Sequence, residues 1–306
     1  MFKANLDYLK QNTFTLGMTF AFLLYGCGGE VSELEEIPQD EKVVSEQTTL
    51  FNVDNKVFYI PNPVQTALLM KDVASPYSKD LLNPAEKAET YTTSFKQAVN
   101  IGCYGADLGY ITSSGQNQEA LTHLGAVKTL ADALGVSSAF DFGAMESFGK
   151  NVGNQQEMLT FVTTAYKTSQ DFLTNENRHD IAGIVMAGAL IEGLHFAVSF
   201  ASDGGGNEAI MKKIGEHAKS LDNVILVLNP HYSASEEPEL SAFIDMLTDL
   251  QTQMKGVKAN YTFAKSTIDT EGKTCKINST SEVVMNEKTL IIIANKVKNI
   301  RDSITS

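Results

Sequence analysis

Glu192 and His195 are the two residues best suited to acid–base or metal chemistry, and they lie three positions apart in the apolar stretch Ile181–Phe200. In a helix this spacing places both side chains on one face, one above the other. A Glu-x-x-His pair is half of the di-iron site of ferritin-like bundles, which also needs a second such pair and two more glutamates. The second pair is missing, because Glu176-Asn-Arg-His179 lies in a polar run that should join helices. We therefore assign no metal and interpret the two side chains as a buried pair that satisfies itself and a partner such as Asp107 or Tyr110 on another helix, with a ligand pocket or a metal site as alternatives.

Asp107 is the third candidate, and it lies in a segment that carries three glycines inside a helical pattern. These are Gly102, Gly105 and Gly109. Each glycine costs up to about 1 kcal/mol relative to alanine in a helix, so something should require their small size. Tight helix packing is one explanation, and a ligand pressed against the backbone is the other. In the second case Asp107 becomes a polar contact in a pocket, with Glu192 and His195 opposite.

The remaining motifs predict no further site. Asp203-Gly-Gly-Gly-Asn207 lacks the Gly-Lys-Ser/Thr ending of a phosphate loop, so we interpret it as a helix connection. His123 and His217 have acidic neighbours along the chain and are predicted to be solvated helix residues. The sequence contains no nucleophile elbow, no Cys-x-x-Cys pair and no dinucleotide fingerprint, so we expect a non-enzymatic protein without a cofactor.

Cys27 offers a different chemistry, that of a thiol nucleophile near the amino terminus. A polar start and the apolar run Phe14–Leu24 indicate a secretory signal, because the run is about half of the roughly 20 residues that span a bilayer. Leu24-Tyr25-Gly26-Cys27 resembles the lipobox of bacterial lipoproteins. The resemblance implies cleavage before Cys27, a thioether to diacylglycerol on its sulfur and acylation of the new amino terminus. It therefore implies a lipid anchor in a bacterial membrane, and Gly28 after the cysteine favours the outer membrane.

Residues 28–49 carry seven acidic side chains against Lys42, which predicts a solvated tether or, alternatively, a sorting signal for surface display. We divide the chain into a signal peptide at 1–26, the tether at 27–49 and a single helical domain at 50–306. The whole chain has 24 Lys and Arg against 37 Asp and Glu, a net charge of −13. This balance argues against nucleic acid as a partner, since phosphate binding needs clustered basic side chains.

Apolar residues recur every three or four positions from about residue 62, which predicts an all-α, multi-helix bundle. Asn83-Pro84 predicts the start of a long helix that runs past Gly109. Ile181–Phe200 is apolar on every side and predicts a buried central helix, because Glu192 disfavours a transmembrane one. Alternation over Tyr261–Ile277 predicts one small β-hairpin. Three more apolar stripes predict helices at about 210–228, 240–254 and 290–304.

Residues 61–200, including Asn83-Pro84, the glycine segment and the apolar helix, are similar to a group of exported helical proteins of Gram-negative bacteria that has no assigned function. The resemblance covers a little under half of the chain and implies a helical fold and an envelope location. Together with the lipobox, it predicts a membrane-anchored accessory or binding protein of the cell envelope with a possible protein partner. The alternative is a small-molecule or metal-binding protein that uses Asp107, Glu192 and His195.

Overall fold

Most of the described residues are helical in this protein, whose structure is a computed structural model. The described residues are 49–53, 56–60, 67–68, 77–140, helical positions between 160 and 175, 178–202, 208–233, 236–269, 274–276 and 280–306. They fall within one compact unit, Val44–Ser306. The predicted signal peptide, Cys27, the tether up to residue 48 and the loop at 203–207 lie outside the described residues.

Six α-helices have both ends within the described residues, and the prediction of a helical fold is confirmed. They are α1 (Ser94–Ser113), α2 (Asn117–Leu134), α3 (His179–Phe200), α4 (Glu208–Leu228), α5 (Pro238–Met254) and α6 (Glu287–Thr305). Short 3₁₀ turns occur at Lys79–Leu81, Ala85–Thr90, Ser137–Ala139 and Asn229–His231. The three apolar stripes predicted after residue 208 form the buried faces of α4, α5 and α6.

The predicted long helix from Asn83-Pro84 is wrong, because the chain breaks before α1. Ala85–Thr90 is a 3₁₀ segment, and Tyr91 after it is extended with φ −82° and ψ 103°. The α-helix begins ten residues after Pro84, at Ser94, where the Thr93 hydroxyl accepts a hydrogen bond from the Lys96 backbone N–H at 3.2 Å. A threonine cap of this kind satisfies one of the free N–H groups of the first turn.

The predicted buried central helix is confirmed as α3. By length and composition it is the one described helix that could cross a membrane, and 94% of its most apolar window is buried within the fold. Its contacts with α1 advance in the same direction along both helices, so the two helices run parallel. These contacts are, in order, Cys103 with Gly188, Asp107 with Glu192, and Tyr110 with Phe196.

Two glycines allow the backbones of α1 and α3 to touch. A methyl group at Gly102 would lie 2.0 Å from the Val185 carbonyl oxygen, and one at Gly188 would lie 2.0 Å from the Val99 carbonyl oxygen. A methyl group at Gly105 would meet no atom within 4 Å. The packing explanation of the glycine segment is therefore confirmed for Gly102 and wrong for Gly105.

Short antiparallel strand pairs accompany the helices. Their strands are β1 (Thr49–Val53), β2 (Lys56–Ile60), β3 (Lys258–Thr262), β4 (Thr267–Asp269), β5 (Thr274–Lys276) and β6 (Thr280–Val284). They pair as β1–β2, β3–β6 and β4–β5. The β4–β5 pair, with Asp269 opposite Thr274, lies in the segment of the predicted hairpin, whose connection falls outside the described residues. The pairs β1–β2 and β3–β6 were not predicted from the sequence.

Candidate functional site

Glu192 and Arg301 form a buried ion pair between α3 and α6. Arg301 donates from Nε to both Glu192 carboxylate oxygens, at 3.0 and 2.8 Å, and from Nη2 to Oε1 at 2.8 Å. The same Nη2 donates to the Leu81 carbonyl oxygen at 2.9 Å. Glu192 has no exposed side-chain surface, whereas the Arg301 side chain is 13% exposed. Charge-assisted, forked hydrogen bonds of this type are the strong ones, and here they join three distant segments.

Asp107 of α1 lies beside this pair and is fully buried. Its Oδ2 accepts a hydrogen bond from the Asn83 backbone N–H at 3.2 Å, and its carboxyl group is within hydrogen-bonding reach of that of Glu192. Burial raises the pKa of Asp107 well above its ordinary value, and the charge of Glu192 raises it further against the opposing effect of Arg301. Asp107 thus favours the neutral form in which it can donate a hydrogen bond.

Asn83 and Asn100 extend the polar cluster to the end of α6. The Asn83 amide donates to Oδ1 of Asn100 at 2.9 Å, and the Asn100 amide donates to the Ile304 carbonyl oxygen at 2.8 Å. The Tyr91 hydroxyl lies 3.1 Å from the carbonyl oxygen of Thr305. These side chains satisfy carbonyl groups that the last turn of a helix leaves without partners.

His123 of α2 forms the opposite side of the cluster and is only 2% exposed. Its Nδ1 lies 3.1 Å from the Glu119 carbonyl oxygen, and its Nε2 lies 3.2 Å from the Asn83 carbonyl oxygen and 4.0 Å from Oδ2 of Asp107. Burial lowers the pKa of His123 below its ordinary value. The prediction that His123 is solvated is therefore wrong, because the segment around Asn83 covers it.

His195 lies at the edge of the cluster rather than at its centre. It is half-buried, and the charge of Glu192 acts on it, but burial has the larger effect and lowers the pKa of His195. Its ring lies near the Leu81 carbonyl oxygen that Arg301 contacts, but its buried Nε2 has no hydrogen-bond partner among the described residues. Of the three predicted site residues, the fold thus joins Asp107 and Glu192 directly and leaves His195 beside them.

A cleft of about 630 Å³ opens next to His123. One wall is the segment from Lys79 to Glu86, and the other is the first turns of α2, including Thr122. At its rim Glu119 accepts hydrogen bonds from the Tyr77 hydroxyl and from Nζ of Lys79, the latter at 2.8 Å. His123 therefore stands between this open cleft and the buried carboxyl groups.

The described residues do not provide the set of ligands that the predicted alternative of a metal site would need. Within them, no group of three or more His, Cys, Asp or Glu side chains is placed to hold an ion. Cys103 is a free thiol buried under α3, and its Sγ lies 3.7 Å from the Gly188 carbonyl oxygen. It behaves as a small apolar side chain in the α1–α3 contact.

His217 of α4 is also buried, so the prediction that it is solvated is wrong. Burial, reinforced by Lys213, lowers the pKa of His217 to about 3. In the unfolded chain the pKa is about 6.5, so this histidine stabilises the fold above about pH 6.5 and loses that effect as the pH falls toward 3. We expect His217→Phe to lessen the dependence of stability on pH between about 6.5 and 4, by up to about 1.4 kcal/mol per pH unit.

Urea unfolding followed by circular dichroism at several pH values measures this effect. The matched control is His231→Phe, which changes a histidine in the 3₁₀ turn after α4 that is not buried. A His217→Phe protein with the pH dependence of the wild type would contradict the expectation.

The sequence analysis missed Arg301, Asn83 and Asn100. A pattern that points to Arg301 was available, because it follows Ile293 and Val297 at steps of four and so stands on the apolar face of α6. A basic residue in that position predicts a buried acidic partner. Asn83 was predicted to be a helix cap, which concealed its role in the core.

Comparisons with known proteins add no function to this geometry. The similarity of residues 61–200 to exported helical proteins and that of the segment at Cys27 to a lipobox stay predictions from the sequence. The roles of Asp107, Glu192 and Arg301 rest on the contacts described above. No protein-family model matches the chain, and no curated protein or solved structure matches it either.

Proposed function

We propose that this chain is a lipid-anchored, non-enzymatic protein of the bacterial envelope, held at the outer membrane through Cys27. Its helical domain serves as an accessory or binding module for an envelope partner. The observation that carries this proposal is that two of the predicted ligand-binding residues are used inside the fold. Glu192 gives its carboxylate to Arg301, and Asp107 contacts Asn83 and Glu192, so these groups cross-link helices.

The carboxyl groups of the cluster hold helices together, which supports a binding module more than an enzyme. A catalytic carboxylate must reach a substrate, whereas Glu192 has no exposed side-chain surface and its two oxygens already accept hydrogen bonds from Arg301. The lipobox and the acidic tether supply the anchor and the spacing from the membrane. An anchored, rigid helical body presents its outer surface to a partner.

Lipidation is tested by replacing Cys27 with serine and growing a Gram-negative host with alkyne-modified palmitate. We expect the wild-type protein to take up the label and to sediment with the outer membrane on a density gradient. Cys27→Ser should lose the label entirely and leave the membrane fraction, since serine offers no thiol to the lipid transfer. Gel fluorescence after click coupling measures the label.

Cys103→Ala is the matched control, because it removes a thiol that is buried in the fold. It should keep the label and the membrane association of the wild type. A wild-type protein without label, or a Cys27→Ser protein that keeps it, would refute the anchor. Sedimentation of labelled protein with the inner membrane would refute the location.

The second candidate function is the binding of a small polar molecule in the cleft beside His123. The specific observation is that the cleft has the size of a ligand pocket and reaches a histidine 4.0 Å from Asp107. A molecule in this cleft would contact His123 and leave Glu192 in its structural role. Native mass spectrometry of the protein purified from its own envelope should then show a bound adduct.

Thr122→Trp tests this second function by filling the cleft, since Thr122 is exposed and lines it. Thr129→Trp is the matched control, as Thr129 is exposed two turns further along α2 and does not line the cleft. We expect the adduct to disappear in the first variant and to persist in the second. A wild-type protein that carries no adduct would exclude this function for the purified protein.

A further inference from the structure

The polar cluster contains more buried acid than buried base. Asp107 and Glu192 are both fully buried, and their carboxyl groups lie within hydrogen-bonding reach of each other. The guanidinium of Arg301 is the one permanent cation in contact with them in the described part of the chain. Two ionised carboxylates at this distance would leave one negative charge uncompensated in the core, which is costly in a medium of low polarity.

Hydrogen bonds place Arg301 on Glu192 rather than on Asp107. Three donor contacts from the guanidinium go to the Glu192 oxygens, and a fourth goes to the Leu81 carbonyl oxygen. Asp107 has one donor at Oδ2, the Asn83 N–H, and its buried Oδ1 has no donor among the described residues. A proton on Oδ1 would complete the arrangement, because Asp107 could then donate to the neighbouring Glu192 carboxylate.

We propose that the folded domain holds one proton on the Asp107–Glu192 pair at neutral pH, and that its loss at higher pH weakens the packing of α1 against α3, because two carboxylates then face one guanidinium. With this proton bound, the cluster has no net charge, because Asp107 is neutral and the charge of Glu192 is balanced by that of Arg301. Asp107 stands on α1, Glu192 on α3 and Arg301 on α6. The cluster is thus a pH-sensitive lock between three segments. This inference is independent of the proposed lipid anchor.

Other titratable groups face Asp107 from every element packed against it. From its own helix these are Cys103 and Tyr104, and from α2, α3 and α6 they are His123, Glu192 and Arg301. Tyr77 also senses its charge. His123 is the competing position for the proton, because both of its ring nitrogens face carbonyl oxygens and an imidazolium would donate to both. Burial lowers the pKa of His123, which favours Asp107 as the acceptor.

The sign of the pH effect follows from the proton count. The pKa of Asp107 is raised in the folded state, so the folded protein binds one proton more than the unfolded chain between the two pKa values. The contribution of this proton to the free energy of unfolding is therefore fully present below the unfolded pKa of about 3.9. It is lost as the pH rises to the pKa of Asp107 in the folded protein. Buried neutral histidines have the opposite effect, which is small above about pH 7 and complete by about pH 8, and thiols and tyrosines titrate mostly above about pH 8.

The experiment measures urea unfolding of the wild-type domain, Asp107→Asn and His123→Gln between pH 7 and pH 8. Asparagine is the neutral isostere of the protonated aspartic acid and can donate to Glu192 from its amide. We expect the unfolding equilibrium constant of the wild type to rise severalfold over this interval, within the tenfold limit that one proton sets per pH unit, and that of Asp107→Asn not to rise. His123→Gln should keep the wild-type dependence.

Two results would overturn the proposal. One is a wild-type dependence that persists unchanged in Asp107→Asn, and the other is a dependence that disappears in His123→Gln, which would locate the proton on the imidazole. If Asp107→Asn does not fold, infrared spectra of the wild type decide the matter. A protonated carboxyl band at pH 7 that vanishes on unfolding supports the proposal, and its absence from the folded protein refutes it.

Discussion

Arg301→Ala is expected to lower the free energy of unfolding by about 3 to 5 kcal/mol, the largest effect we predict for a single side chain. The substitution leaves the carboxylate of Glu192 in the core without its counter-charge and without three donor contacts. It also removes the donor to the Leu81 carbonyl oxygen. Urea unfolding of the purified domain at pH 7, followed by circular dichroism, measures the loss.

Lys298→Ala is the matched control on the same helix. Lys298 pairs with Asp302 at the surface, where an ion pair contributes about 0 to 1 kcal/mol, so this variant should unfold close to the wild type. Arg301→Met combined with Glu192→Met should be less destabilised than Arg301→Ala, since no unpaired charge from the pair remains buried. A loss below about 1 kcal/mol in Arg301→Ala would show that water reaches Glu192.

Gly188→Ala and Gly102→Ala are each expected to cost about 3 kcal/mol or more, at the upper end of the effects of overpacking. Each added methyl group would lie 2.0 Å from a backbone carbonyl oxygen of the facing helix, so α1 and α3 must separate to admit it. The separation also pulls Asp107 away from Glu192, because both stand further along the same contact. Thermal and urea unfolding of each variant measure the effect.

Gly105→Ala provides the control from the same helix as Gly102. A methyl group there meets no atom within 4 Å, and alanine favours a helix by up to about 1 kcal/mol over glycine. We expect this variant to be as stable as the wild type or more so. Equal losses in all three variants would contradict the assignment of Gly102 and Gly188 to the contact between α1 and α3, because no atom crowds Gly105 and helix propensity favours alanine.

Local periodicity accounts for the parts of the fold that the sequence analysis predicted. Apolar residues recur every three or four positions along α5 and α6. This spacing places them on one face, and burial of that face is enough to predict the helix. The start of α1 was mispredicted because Asn83-Pro84 has the residue types of a cap. Asn83 instead donates to Asp107 and Asn100, contacts that no local pattern encodes.

The sequence by itself determined where most of the helices lie and that Asp107 and Glu192 are polar groups on apolar helices. Only the tertiary structure decided what those carboxyl groups meet. Glu192 finds its guanidinium partner 109 residues away on α6, and Asp107 reaches Glu192 because Gly102 and Gly188 allow two parallel helices to touch. Helix formation depends on neighbours along the chain, whereas the partner of a buried charge depends on how separate helices cross.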